Sequence, residues 1–541
     1  MAKQTLHNKH RQNKHERHQI KRKQVKKARR KRQIREATAT GRQVLYQITQ
    51  TVNQFFPDLW DRVNTLTDPR KKPHYSLAEL IGGCVALFVF KEGSRNAFNH
   101  SRMEGQFQQN YRRLFKLKLP HMDTVHALFK VLDETELERL KKGLLNVLFE
   151  RKVFHKWKLL GKYFNIAVDG TGVHHFKERH CDHCLTKSRQ TFVLTEENYQ
   201  SLEKVLGNQI SCLKPMVGKT FKKKDVLLSQ LRASLGDNYV EQRKDKLLEH
   251  CTMTQVESYF HHVLEAKLIT QNGFSISLGT QWIENTNKQF DKQDCESKAF
   301  KRLASQLKKD YPRLPLCIVA DGLYPNEPFF KICQTNGWAF ICTFKDGNLP
   351  TLHEEINELK PYNREHQKKV NYRHGERQTS EHYAWINQLD YRGIEVNWAQ
   401  CVESRHNADG DLLGQTRFEY LSSEAMTDAT VTEIVKAGRL RQKIENEGFN
   451  TQKNLGYNLE HKYSRTSLRA SKNYYQCLQI AHMINQLYEL SSRMQNQLKK
   501  WKTNLKHCCK SVMGFMMYGE INIEHLHEYC RQRVQYRYEL T

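Results

Sequence analysis

Two apolar runs in this sequence each end in Asp-Gly, and an acidic residue in such a position is a candidate metal ligand. The runs are Phe164–Val168, followed by Asp169, and Leu316–Ala320, followed by Asp321. A carboxylate is unstable in an apolar interior, so an Asp that ends a buried strand either meets water or holds a cation. A third carboxylate, Glu445, lies in a stretch rich in Arg and Lys. Together the three acids predict a metal site for phosphoryl transfer of the nuclease kind.

Basic residues around Glu445 predict contacts with phosphate. Arg441 precedes Glu445 by four residues, which puts both side chains on one face of a helix. Glu447 lies two residues beyond Glu445, nearly on the opposite face, and is the competing ligand. We expect Glu445 to hold the metal and Arg441 to clamp phosphate. The residues predicted to bind DNA or phosphate are Arg439, Arg441, Lys443 and Lys453.

The overall charge predicts a polyanionic partner. There are 88 Lys and Arg residues against 58 Asp and Glu residues, a formal net charge of +30 over 541 residues. Such a surplus repels itself in a compact state, and a phosphate backbone relieves the repulsion by releasing condensed counterions. We therefore expect DNA as the partner.

Membrane insertion and secretion are not predicted. The longest apolar stretch, Leu80 to Phe90, is shorter than the roughly 20 residues that cross a bilayer. The amino terminus is basic and lacks the apolar core of a secretory signal. We expect a cytoplasmic, nucleoid-associated protein with no membrane partner, whose 14 cysteines are mostly reduced.

The order of predicted elements brings the first two acids together. After the strand that ends at Asp169, an Asn-Gly turn joins the strands Tyr259–Thr270 and Phe274–Thr280 into a hairpin. A helix, the strand that ends at Asp321, a second helix and the strand Trp338–Phe344 follow. This order predicts an α/β fold of the ribonuclease-H type, a mixed sheet with flanking helices. Its first and fourth strands are parallel neighbours about 4.8 Å apart, so both Asp residues lie at one edge.

Three sequence blocks resemble the acidic blocks of DDE transposases from bacterial insertion sequences, most closely the insertion-sequence-four class. The blocks are Val168–Phe176, Ala320–Tyr324 and Lys443–Asn450, and the resemblance covers most of residues 43–490. The last block is the most specific. Around its Glu the class has Tyr, two residues, Arg, three residues, Glu, six residues and Lys.

This chain departs from that pattern at two positions. Arg441 and Glu445 fit the spacing, but Gly438 replaces the Tyr. Gln452 stands where the Lys is expected, and Lys453 comes one place late.

The resemblance implies a catalytic triad, cofactors and partners. The triad is Asp169, Asp321 and Glu445, which hold two magnesium ions, with manganese as the alternative metal. The enzyme it implies is a homodimer on DNA that cleaves the terminal inverted repeats of a mobile element and joins them to target DNA. The rival functions are a DNA-binding regulator that has lost catalysis and a nuclease that cuts without joining.

Composition and periodicity divide the chain into six segments. They are a basic disordered arm (1–42), a helical DNA-binding domain (43–155), the first part of the catalytic core (156–345, with an insertion at about 185–255), a β-rich insertion (346–430), the Glu-bearing helix (431–470) and a C-terminal helical region (471–541). The arm could instead be a solubilising tail. The insertion at 185–255 could be a DNA-contacting lobe or a pair of surface helices.

The helical segment 43–155 has two helix starts with the spacing of a capping box, Ser76 with Glu79 and Asp133 with Glu136. Arginines at its turns predict a grip on DNA ends, and an ordinary bundle with a basic face is the alternative. These arginines are Arg95, Arg102, Arg112 and Arg113.

Apolar residues in two later segments have two interpretations each. The stripe formed by Leu478, Ala481, Ile484, Leu487 and Leu490 could pair subunits or pack on the catalytic domain. Trp385 and Trp398 in the β-rich insertion could stack on an unpaired base, but we expect them in the core.

A second, weaker metal signal is the run His180-Cys181-Asp182-His183-Cys184. Cys181 and Cys184 have the Cys-x-x-Cys spacing of a zinc site, and His174 and His175 are nearby. Structural zinc needs a second pair of ligands at suitable spacing, and the sequence does not reveal one.

Overall fold

The structure is a computed structural model that describes residues 21–27, 41–286, 289, 292–345, 347–375 and 377–539. Most of the predicted basic arm, residues 1–42, lies outside the described residues, and residues 21–27 form an exposed helical turn. The fold is mixed α/β with a large sheet and flanking helices, which is the predicted class. None of the described helices is long and apolar enough to cross a membrane.

The chain folds into two compact units. The main unit contains the described residues of 1–171, 264–281 and 300–541. The inserted unit contains those of 172–263 and 282–299.

The segment before the first strand is helical, as predicted. Its helices are α1 (Gly41–Phe55), α2 (Leu59–Asn64), α3 (Leu77–Val89), α4 (Arg95–Met103), α5 (Gly105–Phe115), α6 (Met122–Val131) and α7 (Glu134–Glu150). Ser76 and Glu79 form the predicted capping box at the start of α3. Asp133 caps α7, but Glu136 does not complete a box there, because its carboxylate accepts from the backbone and hydroxyl of Thr67 instead.

The sheet of the main unit contains the predicted strand order. Its elements are β1 (Phe164–Phe176), β4 (Thr252–Ile269) and β5 (Ser275–Ile283), followed by α11 (Glu296–Asp310), β6 (Leu316–Ala320), α12 (Glu327–Asn336) and β7 (Ala339–Thr343). The strands lie side by side in the order β5, β4, β1, β6, β7. Gly273 turns the hairpin between β4 and β5 at a φ of +102°, a conformation that suits glycine. The predicted parallel neighbours, β1 and β6, are confirmed.

The predicted β-rich insertion extends this sheet. After α13 (Pro350–Leu359) come the antiparallel strands β8 (Gln367–His374), β9 (Arg377–Tyr391), β10 (Ile394–His406) and β11 (Leu412–Ser422). β11 pairs with β7, so the insertion continues the edge of the core sheet. Trp385 and Trp398 are buried, as we expected, and do not present their rings to a base.

The inserted unit has its own elements and core. It contains β2 (Leu185–Val193), α8 (Glu196–Leu206), β3 (Thr220–Phe221), α9 (Lys224–Leu235) and α10 (Asp237–Glu249), with β2 between β3 and the first part of β4. Leu202, Leu213, Leu227 and Val240 are among its buried core residues. The insertion predicted at 185–255 is therefore a compact unit with an interior, larger than a pair of surface helices.

The C-terminal part is helical, as predicted. After α14 (Val431–Arg439), a π-helix (Ile444–Asn450) and α15 (Thr451–Asn454) come α16 (Leu468–Glu489), α17 (Ser492–Trp501), α18 (Leu505–Tyr518) and α19 (Ile523–Arg531). α16 is buried along nearly its whole length and packs against α1, α3, α6 and α7. The apolar stripe from Leu478 to Leu487 is thus covered within the main unit, and the alternative that it pairs subunits is wrong.

A layer of polar side chains runs between α16 and the core sheet. The amide oxygen of Gln479 accepts from Lys267 Nζ at 3.1 Å and from Gln452 Nε2 at 2.9 Å. Gln452 also contacts the ring of His482, at 3.1 Å from Nδ1. The position where the resemblance expects a lysine therefore belongs to this buried layer.

Lys267 is the cation of this layer and is wholly buried. Burial lowers its pKa to about 8, because the opposing attraction of Glu265 is weaker and Lys141 adds repulsion. The protonated form is thus less stable inside the folded protein than in water.

We predict that Lys267→Met makes the protein more stable at pH 7, by up to about 3 kcal/mol. The pKa of Lys267 is about 8 in the folded protein and about 10.4 in the unfolded chain. Between these two pH values the unfolded chain binds more protons than the folded one, so wild-type stability rises with pH. The advantage of the variant should shrink as pH rises from 8 to 10. Thermal unfolding midpoints at several pH values measure it, with Lys301→Met, an exposed lysine of α11, as the control. An advantage that stays constant with pH would contradict the prediction.

Candidate active site

Strands β1 and β6 bring the first two acids to one edge of the sheet. The two strands are parallel, and their register pairs Phe164 with Leu316 and Ala167 with Val319. Continued one residue past the end of β6, this register sets Asp169 opposite Asp321. The first strand does not end at Asp169, as the sequence predicted: β1 continues to Phe176, so Asp169 lies within its strand and only Asp321 follows a strand end.

Each Asp uses one carboxylate oxygen to hold the backbone that follows it. Oδ1 of Asp169 accepts from the backbone N–H of Gly170, and Oδ1 of Asp321 accepts from that of Leu323, both at 2.9 Å. These bonds fix the direction of each carboxylate. Oδ2 of Asp169 is left to face the segment that carries Glu445.

Glu445 lies on the π-helix Ile444–Asn450, between α14 and α15. The wider turn of a π-helix re-aims side chains, and such turns are frequent at functional sites. Gly448 packs this segment on the hairpin, because a Cβ there would lie 2.8 Å from Ser275 Oγ and 3.4 Å from Lys267 Cδ. Close packing on the hairpin therefore sets the position of Glu445.

Arg441 contacts two of the three acids, Asp169 and Glu445. Its guanidinium lies 3.2 Å from Asp169 Oδ2 and 2.8 Å from Glu445 Oε1. Burial acts to lower the pKa of Arg441, but the pKa is raised because Asp169, then Glu445 and then Asp321 attract its positive charge. Acids that are far apart in the sequence thus act on one guanidinium group.

Glu445, not Glu447, faces the other acids. Glu447 is paired with Lys443 at 2.6 Å, and its Cγ lies beside Gly273 in the hairpin turn. The carboxylate of Glu445 is about half exposed, with 52% of its side chain accessible. The choice of Glu445 as metal ligand stays a prediction, which its contact with Arg441 supports.

The donor set suits a hard divalent cation. All the donors are carboxylate oxygens, which magnesium and manganese prefer. Two carboxylates contact one guanidinium and the charge of Asp321 also acts on it, so negative charge remains for a metal to balance. In the described part of the chain, these acids do not bring one oxygen each within 4.8 Å of the others. Arg441 lies between two of them.

The other predicted phosphate ligands are engaged elsewhere. Arg439 donates to Glu381 on β9 at 3.2 Å and to Glu403 on β10 at 2.7 Å. Lys453 pairs with Glu460 at 2.8 Å. Of the four basic residues predicted for this role, Arg441 alone contacts the acids in the part of the chain that the structure describes.

Tyr420 on β11 is a residue near the site that the sequence did not identify. A Cβ at Gly438 would lie 2.6 Å from its ring, so the ring fills the space where a side chain of residue 438 would begin. Burial raises the pKa of Tyr420 to about 12, although the charge of Arg439 opposes the shift. The only sequence signal for Tyr420 was Gly438, which stands where the resemblance expects Tyr, and that glycine does not point to position 420.

Lys345 is the second such residue. It follows β7, which is parallel to β6 and pairs Cys342 with Ala320, so both strands end at the same edge. The aliphatic part of the exposed Lys345 side chain lies against Gly322, 3.2 Å from the place of a Cβ there. The sequence signal that could have identified Lys345 is its position just after the end of this third parallel strand.

The predicted weak zinc ligands are not part of this site, because Cys181 and Cys184 belong to the inserted unit.

In the comparisons with known proteins, no protein-family model matches the chain and no curated protein matches its sequence. The site therefore rests on its own geometry: a parallel strand pair and a π-helix, with Asp169 and Glu445 in contact with one arginine.

We predict that Gly438→Ala destabilises the main unit by about 1–3 kcal/mol, because a new Cβ at 2.6 Å from Tyr420 overpacks a buried ring. Its matched control is Gly143→Ala in α7, where the nearest atom is an Arg62 nitrogen at 3.7 Å. That change should stabilise the protein by up to about 1 kcal/mol, as alanine favours a helix. Thermal unfolding of both variants measures the difference. Equal effects would show that Tyr420 moves aside freely.

Proposed function

We propose that this chain is a metal-dependent enzyme of DNA phosphoryl transfer. More specifically, we propose a transposase that cleaves the ends of a mobile insertion sequence and joins them to target DNA, as a homodimer on DNA. The observation that carries the proposal is the shared contact of Asp169 and Glu445 with Arg441, beside the strand end that bears Asp321. Three acids carried by a parallel strand pair and a neighbouring π-helix suit divalent cations and a phosphodiester better than any other ligand class.

In this proposal Asp169, Asp321 and Glu445 hold magnesium, with manganese as the alternative. Bound divalent ions would activate a water or 3′-hydroxyl and stabilise the leaving oxygen. The two Asp carboxylates are oriented by their backbone bonds, and the hairpin supports the π-helix that carries Glu445. These supports hold the ligands in place before substrate binds.

Arg441 has a second role in the proposal. A guanidinium that is paired with carboxylates can exchange them for phosphate oxygens, which it binds in the same two-pronged geometry. Arg441 is only 17% exposed, so a phosphate that reaches it must enter between the acids. Arg441 is therefore better placed to bind the scissile phosphate than the other phosphates of the DNA backbone.

A basic groove in the main unit is the proposed track for the DNA backbone. It is lined by Arg95, His126, Lys130, His461, Lys462 and Arg465. Burial lowers the pKa of His126 to about 4, and the nearby charges of Arg95 and Lys130 add to the shift. Such a groove attracts DNA phosphates whatever the base sequence.

The arginines predicted to grip DNA at helix turns support this role unequally. Arg102 donates to the carbonyl of Leu119, and Arg113 donates to Glu520 and to the carbonyl of Ile521. Both hold the fold together. Arg95 lines the groove, although it also pairs with Asp123 at 2.7 Å.

We predict magnesium-dependent cleavage of the DNA that flanks the coding sequence. The substrate is a supercoiled plasmid that carries the gene with its natural flanks, and primer extension maps the breaks. Asp169→Asn, Asp321→Asn and Glu445→Gln should each reduce cleavage at least about 100-fold, because each removes a metal ligand. Glu447→Gln is the matched control and should keep nearly full activity, because Glu447 pairs with Lys443 away from the acids.

Three outcomes separate the rival functions. Binding of the flanks without breaks in magnesium or manganese would favour the non-catalytic regulator. Breaks without joining, when precleaved ends are incubated with supercoiled plasmid, would favour a nuclease. Loss of cleavage in Glu447→Gln with retention in Glu445→Gln would overturn the assignment of the third ligand.

We also predict that Lys130→Gln with Arg465→Gln weakens DNA binding at every sequence. Two lost phosphate contacts should reduce the slope of log affinity against log salt by about 2. Fluorescence anisotropy on unrelated duplexes at several salt concentrations measures it. The control is Lys331→Gln, which removes an exposed lysine paired with Glu327 on α12. An unchanged slope would exclude the groove as a DNA contact.

A further inference from the structure

A cluster of two thiols and two imidazoles lies in the inserted unit. Its members are His180, Cys181, Cys184 and His261, and one donor atom of each lies within 4.8 Å of all the others. We propose that these four side chains form a structural zinc site. The proposal does not depend on the proposed function, because the inserted unit contains none of the three acids.

The distances in the cluster match tetrahedral zinc. The two sulfur atoms are 3.7 Å apart, and His261 Nε2 lies 3.4 Å from Cys181 Sγ and 3.5 Å from Cys184 Sγ. Zinc–sulfur bonds of about 2.3 Å and zinc–nitrogen bonds of about 2.0 Å place tetrahedral ligands about 3.8 Å apart for two sulfurs and about 3.5 Å for sulfur and nitrogen. The two sulfurs and the His261 nitrogen therefore have the separations that a zinc ion requires, and a His180 nitrogen lies within 4.8 Å of all three.

The backbone of the Cys-x-x-Cys turn is held in place by hydrogen bonds. Within the turn, the backbone N–H of Cys184 donates to the carbonyl of Cys181 at 3.4 Å. The side chain of Asn285 donates to the carbonyl of Cys184 at 2.9 Å. The ring of His183 is used here too, since its Nδ1 lies 2.8 Å from the carbonyl oxygen of Asn285. His183 therefore supports the turn, and His180 supplies the imidazole from this segment.

Burial favours a metal over free thiols. His261 and Cys184 are completely buried. The ring of His180 stacks on Phe176, with centroids 4.3 Å apart and planes within 10°. The sulfurs are too far apart for a disulfide, which needs about 2.05 Å. His180 and Cys181 are half-buried. A set of soft and imidazole donors in this geometry suits zinc best.

The fourth ligand explains why the sequence signal was weak. His261 lies on β4, 77 residues from Cys184, so spacing alone does not reveal it. His174, which the sequence also offered, has its ring centroid 6.4 Å from that of His261 and is not in the ligand set. Four protein ligands leave no open position for a substrate, so the site is structural. It joins the segment that follows β1 to β4.

The test uses the full chain, purified without chelator and dialysed. Elemental analysis should find about one zinc per chain. Cys181→Ser and Cys184→Ser should each lose at least about 80% of it, as a tetrahedral site does not survive the loss of a thiolate. Cys212→Ser and Cys295→Ser are the matched controls, because both cysteines are exposed, and they should keep the metal.

A measurement on the wild-type chain guards against variants that fail to fold. Cobalt exchanged for zinc should give the visible absorption bands of a tetrahedral site with thiolate ligands, and added zinc should remove them. Cobalt bands with one zinc per chain would support the site even if both serine variants aggregate. Less than about 0.1 zinc per chain after reconstitution, or a disulfide between Cys181 and Cys184, would overturn the proposal.

Discussion

The contact of Arg441 with Asp169 and Glu445 is the interaction on which the arrangement of the acids depends. Neighbouring carboxylates repel one another, and this repulsion must be offset before any ligand binds. One guanidinium, largely buried, provides the compensating charge. Because it reaches from a helical segment to Asp169 on β1, it also fixes where the Glu-bearing segment lies against the sheet.

The interior behind this contact is unusually polar. Lys267, Gln452, Gln479 and His482 bind one another between α16 and the core sheet. Buried polar groups are tolerable only where their hydrogen bonds are made, so such a layer specifies one packing of α16 more strictly than apolar contacts would. The π-helix rests on the same lysine, through Gly448. The position of Glu445 is thus coupled to the buried layer as well as to Arg441.

Much of the fold could be predicted because its signals are local. The two apolar strand segments, the Asn-Gly hairpin and the helical stripe of α11 each lie within one short segment, and the order of elements then indicated the parallel pair. The end predicted for the first strand at Asp169 was wrong, because β1 continues to Phe176. Glu445 could be preferred over Glu447 because residues four apart share a helix face. The π-helix could not be foreseen, as it depends on how Gly448 packs against the hairpin.

The features that the sequence missed depend on contacts between distant residues. Tyr420 meets Gly438 from another strand, and Arg439 turns toward Glu381 and Glu403 because β9 and β10 lie beside α14. His261 joins the cysteines from β4. No periodicity within one segment contains this information, since it is the pairing of strands that sets these neighbours.

The space shared by Gly438 and Tyr420 has an evolutionary consequence. A single ring occupies the space, and either the helix or the strand could supply it. Homologous chains should therefore covary at these two columns, with a bulky residue on one side and a small one on the other. A sequence profile that demands an aromatic residue at the helical column alone would overlook chains that have made this exchange.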